Sequence, residues 1–346
     1  MKTVCVCGHF GFGREFLDGQ TVKTRNIYDE LAQTLGEEKV CSLDTYGGKK
    51  AIIRLVFGML RALKNCHNVV ILPAQNGIRF IPPLLMSVNT FFNRKLHYVV
   101  IGGWLDSFLE NRKALTRCLK RFHCIYVETS TMKNVLENGG FKNVLVMPNC
   151  KSLQRLTEDE LVYSVDEPYK LCTFSRVMWE KGIGTAVEAV KEVNQKLGRT
   201  ACALDIYGPV DGQQTEWFEE LCNSFPEYVR YCGTVAAEQS VGVLKDYFAL
   251  LFPTIFYTEG IPGTIIDAYA AGVPVIASRW ESFSDVVNEE TGIGYDFEEE
   301  NALAEAIETV IKDPGEFSAK KIACLRRFSD FSPEVIREVL IPQLEQ

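Results

Sequence analysis

Short apolar runs closed by turn-forming residues recur along the chain. Thr3–Cys7, Val40–Leu43, Asn68–Leu72, His97–Ile101, Cys124–Val127 and Val144–Met147 mark the first half. Leu171–Phe174, Leu204–Tyr207, Val229–Cys232, Ala249–Phe252 and Val275–Ala277 mark the second. Runs that stay apolar on successive positions predict strands buried on both faces of a parallel sheet. Between them, apolar residues return at helical spacing. Gly19–Leu35 (opened by Asp18 or Gly19) carries Val22, Ile27 and Leu31 on one side. Further helices are predicted over Lys49–Lys64, Ile78–Met86, Met132–Glu137, Thr185–Leu197, Glu216–Cys222, Val243–Phe248, Thr264–Ala271 and Asn301–Ile311. Asn301 is expected to cap the last of these. Another helix starts at Pro314, and Ser332-Pro333 opens a final one reaching about Ile341. Thr291–Phe297 reads as a hairpin. Strands alternating with helices predict an α/β fold with doubly wound, Rossmann-like sheets. Residues 151–169 are polar and acidic without periodicity, which places a linker there.

A length of 346 residues, 47 % of them hydrophobic, fits two domains with sizeable cores. No stretch reaches the ~18 continuous apolar residues of a membrane span. Lys2 is followed by a strand-like run too short for a secretory core, so a cytoplasmic protein is expected. Several of the twelve cysteines sit within strand-like runs, and alternation puts Cys5 and Cys7 on one strand face. Buried free thiols and a reducing compartment are the expectation. Four histidines make a histidine-based metal site improbable.

The net charge of −8 is unevenly spread. Residues 1–150 hold 20 Lys/Arg against 11 Asp/Glu, a net of +9, and the remainder carries −17. Two domains with different partners follow from that asymmetry. Lys49–Lys64 combines basic residues at 49, 50, 54, 61 and 64 with a broad apolar side. Such a helix either rests at an anionic bilayer surface, making the protein peripheral at the inner face of the cell membrane, or packs on the sheet with a solvated basic face. No nucleic acid partner is expected.

The chemistry concentrates in YTEGIPGTIIDAYAAGVPVIASRW, residues 257–280. A strand, a loop with Gly260, Pro262 and Gly263, a compact helix and another strand follow in order. Unpaired amides at such a helix start attract anions. Glu259 stands before the helix, and Asp267 lies on it. A second loop, SRVMWEKG, follows Phe174 and places Arg176 and Lys181 five apart, where two cations can converge on a diphosphate. In the first half, GHFGFG (8–13) has the spacing G-x-x-G-x-G, which permits a tight turn beside a ligand. Asp44, at the end of the second strand, keeps a nicotinamide-dinucleotide reading open. Gly102-Gly103-Trp104 forms another permissive strand-end loop. Its Trp either offers a stacking platform for a sugar or closes the core.

These motifs resemble glycosyltransferase family 4, whose members have the two-domain GT-B architecture. The family's E-x7-E marker stands here as Glu259 and Asp267, followed by GVPVIA from Gly272. Its diphosphate-binding Arg and Lys fall on Arg176 and Lys181, and its strand–glycine features on Gly208 and Gly233. The stretch VETSTMKNVLENGGFKNVLVMPNC is a looser match, with Cys150 where glycine is common. The resemblance implies a GT-B fold of two Rossmann-like domains facing a central cleft. Residues 1–155 would bind the acceptor and 165–331 the nucleotide sugar, while 332–346 form a C-terminal helix packing back on the first domain. It implies retaining, metal-independent transfer from a UDP- or GDP-sugar to a lipid-linked or oligosaccharide acceptor, as in exopolysaccharide or capsule biosynthesis. No cofactor is implied. Arg176 and Lys181 would hold the departing diphosphate, and Glu259 the donor sugar hydroxyls. Asp267 would meet the ribose. Gly19 would lie by the phosphates, and Ile261, Gly263 and Thr264 would offer backbone groups. In the mechanism usually proposed for the family, the leaving phosphate helps deprotonate the incoming hydroxyl on the same face. Two departures matter: the second acid is Asp, and Gly102-Gly103-Trp104 stands near where relatives have a histidine. His9 is one substitute for that histidine. A nucleotide-sugar epimerase or hydrolase of the same fold, and a non-catalytic sugar-nucleotide-binding protein, are the alternatives.

Overall fold

The computed structural model describes residues 2–13, 19–163 and 165–345, with the backbone alone for 48–52. Asp18 and the residues just before it lie outside the described residues. Two compact units emerge: Met1–Ser152 together with Phe331–Gln346, and Leu153–Asp330. The strands of the first unit are β1 (Lys2–Gly8), β2 (Val40–Asp44), β3 (Cys66–Ile71), β4 (Lys95–Val99), β5 (Cys124–Val127) and β6 (Val144–Val146). Those of the second are β7 (Tyr169–Phe174), β8 (Cys202–Tyr207), β9 (Val229–Gly233), β10 (Ala249–Phe252), β11 (Val275–Ser278) and β12 (Gly292–Tyr295). The sheet orders are β2-β1-β3-β4-β5-β6 and β12-β11-β10-β7-β8-β9. All pairings between these strands are parallel.

Alternation along β1 explains the layering of the first unit. Val4 and Val6 face one way, into a core shared with Ile27, Leu31, Tyr126, Ile336, Leu340 and Leu344. Cys5 and Cys7 face the other way, against Met59, Ala62 and Leu63 of the helix Gly48–Asn65. A strand covered by helices on both faces has no polar side, which is why its run is continuously apolar. All twelve cysteines are free, and eight are buried. A polar network threads the same unit. Asn68 donates to the carbonyls of Thr3 (3.1 Å) and Leu344 (2.9 Å). His97 bridges Asn68 Oδ1 (3.1 Å) and the Tyr126 hydroxyl (3.0 Å). In the second unit, Leu171, Leu204 and Ile206 pack with Val187 and Val190 of the helix Ile183–Leu197 and with Ile307.

Several boundaries differ from the sequence reading. Thr291–Phe297 is no hairpin: its Gly292–Tyr295 is β12, parallel to β11, reached through a short helix at Phe283–Val286. Parallel neighbours need a crossover, and this one is too short to show a helical period. The helix expected over Val243–Phe248 is Ser240–Leu244. Phe248 instead leads into β10, its amide donating to the Lys170 carbonyl at 2.8 Å. Asn301 adopts φ +60° and makes no side-chain cap for the helix Ala302–Lys312. The last helix divides into Glu334–Val339 and Ile341–Glu345. Pro342, which lacks an amide hydrogen, sits at the break. The helices Leu105–Leu109 and Lys113–Leu119 were not anticipated.

Each sheet reverses direction beside its first strand. In the second, β8 lies on one side of β7 and β10 on the other. Loops leaving the carboxyl ends of β7 and β10 therefore diverge and open a crevice, the usual ligand position in such sheets.

Candidate active site

Both motif loops of the second unit meet at that crevice. After β7 come Ser175, Arg176, a short 3-10 turn at Trp179–Lys181 and Gly182. After β10 come Pro253, Thr254 and Glu259, then the helix Gly263–Ala270. The loops touch backbone to backbone. A Cβ at Gly182 would lie 1.8 Å from the Pro253 carbonyl oxygen, and its φ is +69°. The Ile255 amide donates to the Glu180 carbonyl at 3.0 Å. Gly208, after β8, approaches Ser175 just as closely, with an added Cβ 1.8 Å from that carbonyl oxygen. Gly182→Ala is therefore expected to destabilise the protein by roughly 2–4 kcal/mol, combining left-handed strain with a backbone clash. A melting temperature within a degree of wild type would contradict this packing.

The contact sets Lys181 against Glu259. Lys181 Nζ lies 2.5 Å from Glu259 Oε2, and the side chains are 17 % and 20 % exposed. Thr254 Oγ1 stands 3.5 Å from the same carboxylate oxygen. The ammonium also lies 5.6 Å from the Phe252 ring centroid and 5.7 Å from that of Phe256. Aromatic faces reinforce a cation held there. Arg176 is half exposed and 3.7 Å from Asp211, a loose pair that leaves the guanidinium available to an anion. Gln214 fixes the loop from below, accepting from the Trp179 amide at 2.6 Å and donating to Glu180 Oε2 at 2.8 Å.

At the start of the Gly263–Ala270 helix, the amides of Ile265 and Ile266 both turn to the Pro262 carbonyl, at 3.0 and 3.4 Å. Those of Gly263 and Thr264 have no acceptor among the described residues. The Thr264 hydroxyl is buried and has no hydrogen-bond partner among the described residues. Two open amides and an orphaned hydroxyl at a helix N-terminus form a set of donors for an anion. Ile261 is buried in the preceding loop. Asp267 lies in the second helical turn, 3 % exposed, accepting from Ser240 Oγ at 3.1 Å. Its position excludes the simple first-turn charge–dipole role, which fades beyond the first turn.

The structure thus places Arg176, Lys181, Gly208 and Glu259 on loops beyond the carboxyl ends of β7, β8 and β10, and Gly263 and Thr264 at the helix start that follows β10. Gly19 belongs to the first unit, where it begins a helix, and among the described residues nothing lies within 4 Å of where its Cβ would stand. In that unit the Asp44 carboxylate accepts from the amides of Tyr46 (2.9 Å), Phe10 (3.0 Å), Phe12 (3.3 Å) and Gly11 (3.4 Å). Burial pushes its pKa up, but these four amides outweigh that and hold it below the ordinary value. Asp44 is a clamp on the glycine loop, so it is committed to the backbone rather than to a ribose. His9 Nδ1 lies 2.6 Å from Thr21 Oγ1. Trp104 is half-buried, donates to the Ile101 carbonyl at 2.6 Å and packs edge-on against Phe108. That is the core-closing arrangement. Thr254, Asp211, Gln214 and Ser240 went unnoticed in the sequence. Each acts through a fold contact with no local pattern to reveal it.

Among the described residues, no group of three or more His, Cys, Asp or Glu is placed to hold a metal ion. Residues 168–313 match the family described as Glycosyl transferases group 1. The amylovoran biosynthesis glycosyltransferase AmsK of Erwinia amylovora is 23 % identical over 128 residues, 36 % of this chain and 31 % of that protein. Glycogen synthase of Mycobacterium tuberculosis is 24 % identical over 173 residues, 49 % of this chain and 40 % of that protein. The chain thus spans well under half the length of these curated relatives. Among solved structures, sucrose-phosphate synthase from Thermosynechococcus elongatus superposes with a TM-score of 0.75 at 17 % identity, covering 100 % of this chain and 99 % of that one. Anabaena Alr3699/HepE in complex with UDP superposes with a TM-score of 0.74 at 14 % identity over 100 % of both chains. The chain has the GT-B fold, two Rossmann-like units, and its second unit is similar to the glycosyl transferases group 1.

Proposed function

We propose that this protein is a retaining, metal-independent glycosyltransferase of family 4. It transfers a sugar from a nucleoside-diphosphate sugar to a lipid-linked or oligosaccharide acceptor, in assembly of an exopolysaccharide or capsule. One observation carries the reading: Lys181 and Glu259 meet at the crevice beside β7, on the loops that also bear a half-exposed arginine and lead to two open helix-start amides. A diphosphate needs several donors and positive charge, and a sugar needs a carboxylate to accept from its hydroxyls. Residues 1–155 would serve the acceptor, residues 165–331 the donor, and residues 332–346 would brace the first domain. Gly19 would stand by the phosphates.

In the reaction, the bond from the anomeric carbon to the diphosphate oxygen breaks. A bond to the acceptor oxygen forms on the same face, and the acceptor's proton passes to the departing diphosphate. Arg176, Lys181 and the amides of Gly263 and Thr264 stabilise the charge that develops on the diphosphate, where fixed donors contribute most. The HepE structures hold UDP and, in one case, UDP-glucose, and AmsK is named for amylovoran biosynthesis. UDP-sugars are therefore the first donors to test. A panel of UDP- and GDP-sugars, with and without a chelator, should yield one donor whose turnover the chelator leaves unchanged. Failure of every donor to be turned over, with nucleotide still bound, would leave a binding protein.

Glu259→Gln should impair transfer strongly yet keep affinity for the bare nucleoside diphosphate. Removing its charge leaves the Lys181 ammonium uncompensated, which favours an anion. Calorimetry showing that diphosphate binding disappears too would contradict the assignment to the sugar.

Asp267→Ala should weaken binding of donor and diphosphate by roughly 1.5–3 kcal/mol, as for a charge-assisted hydrogen bond to the ribose. The loss should shrink for a 2′,3′-dideoxyribose analogue. Equal losses for both ligands would assign Asp267 to holding Ser240 in the fold instead.

A further inference from the structure

Between Asp44 and Asp106 the chain carries no Asp or Glu, while Lys49, Lys50, Arg54, Arg61, Lys64, Arg79, Arg94 and Lys95 all fall there. This acid-free stretch includes the helices Gly48–Asn65 and Ile81–Asn89, which lie against one another in the first unit. Both carry apolar side chains on their water-facing sides. On the first, Ile53 is 70 % exposed, Phe57 68 % and Leu60 36 %. The spacings of four and three put these three on one stripe, which Arg61 and Lys64 continue. On the second, Phe80 is 73 % exposed and Leu84 36 %, and Phe91, just beyond its end, is 86 % exposed. Phe80 and Leu84 are again four apart. Met59, Ala62 and Leu63 already fill the inward side of the first helix, and Ile81, Pro82 and Leu85 that of the second. The exposed stripes are therefore surplus to the core.

Isolated exposed hydrophobics need no explanation, but six large ones on two neighbouring helices do. Their setting selects the occupant. A protein partner would ordinarily be met by charges of both signs, whereas here every formal charge in 61 consecutive residues is basic. Aromatic and aliphatic side chains on a stretch whose formal charges are all Lys and Arg match the boundary of an anionic bilayer, with acyl chains beneath a layer of phosphates. We infer that these two helices form a monotopic lipid-docking surface, in which Phe80 and Phe91 enter the bilayer interface together with Ile53 and Phe57. The surface deepens the reading of a lipid-linked acceptor but stands on its own observations. No described helix is long and apolar enough to cross a membrane, so the contact is with one leaflet.

The test uses the full chain and sedimentation with vesicles of phosphatidylcholine, with or without phosphatidylglycerol. Wild type should bind the anionic vesicles, more weakly as salt rises. Phe80→Ser/Phe91→Ser should lower the partition coefficient by roughly tenfold to a hundredfold, the scale of two aromatic side chains leaving an apolar layer. Both side chains are exposed, so melting temperature and UDP affinity should not change. Phe91→Trp should fluoresce, with quenching by brominated lipid. Undiminished vesicle binding by the double Phe variant would overturn the docking surface, leaving only a basic face attracting anions. So would absence of binding at low salt, or concentration-dependent dimerisation that the same variant abolishes. UDP binding and donor turnover measured separately report on the transferase reading, so either can fail without the other.

Discussion

Lys181→Ala is expected to lower turnover of the nucleotide sugar by roughly a hundredfold to a thousandfold, the cost of deleting one preorganised donor to developing charge. The melting temperature should fall by only a few degrees. The asymmetry follows from where the ammonium sits. It is held 2.5 Å from Glu259 and near two aromatic rings, so its position is fixed before any ligand arrives. A cation that need not be reoriented during the reaction contributes more to the transition state than a mobile one. In stability, the pair is one-sixth to one-fifth exposed, so solvent screens part of the attraction, and losing it costs about 1–2 kcal/mol. Arg176→Ala should have a smaller effect alone, since that side chain is 52 % exposed and only 3.7 Å from Asp211. The double variant should be the least active. Single-turnover rates with saturating donor separate this effect from donor affinity. A double variant that turns over near the normal rate would remove both residues from the mechanism.

Acid should unfold the first unit through His97. Its ring is fully buried, bridging Asn68 and Tyr126. Burial, together with the charges of His123 and Lys95, lowers its pKa from 6.5 to about 3. A histidine whose folded pKa is depressed stays neutral in the fold while the unfolded chain takes up a proton. The unfolded state thus binds more protons between those two values, and stability rises with pH across that window. In the other direction, stability is unaffected by this group above pH 6.5 and is lost progressively as pH falls toward 3. The gap corresponds to roughly 4–5 kcal/mol if fully expressed. His97→Gln should be less stable at neutral pH, because two buried hydrogen bonds are disturbed, but its stability should decline less steeply below pH 6.5. Urea unfolding at a series of pH values reads both slopes. Parallel acid limbs for the two proteins would show that His97 does not carry the acid sensitivity.

Most strand positions were legible because both faces of each sheet are covered, which leaves runs such as Val4–Cys7 and Leu250–Phe252 uniformly apolar. The loops bearing Arg176, Lys181 and Glu259 were equally legible, since glycine and proline stand where backbones approach closely. Hidden from the sequence were contacts whose partners lie far apart in the chain. Asp44 reads as a cofactor acid but serves three amides of the glycine loop and that of Tyr46. Lys321 drew no attention in the sequence. In the fold it is fully buried, donates to the Tyr247 carbonyl at 3.0 Å, and is pulled down by burial to about 8. Neither residue differs in local pattern from its surface counterparts. Thr291–Phe297 was misread because a four-residue crossover helix leaves too little chain to display a period of 3.6 residues.

The chain order of the two units has a consequence for synthesis on the ribosome. The first unit needs Ile336, Leu340 and Leu344 in its core, and Asn68 needs the Leu344 carbonyl. Every one of these is made after the whole of Leu153–Asp330. At roughly 5–20 residues per second, the whole of the second unit is synthesised before the first receives these side chains. Of the two units, the one that comes first in the sequence is thus the later to have all of its core residues made. Until then its incomplete core is open to chaperones, and the exposed stripe at Ile53, Phe57 and Leu60 is on display beside it.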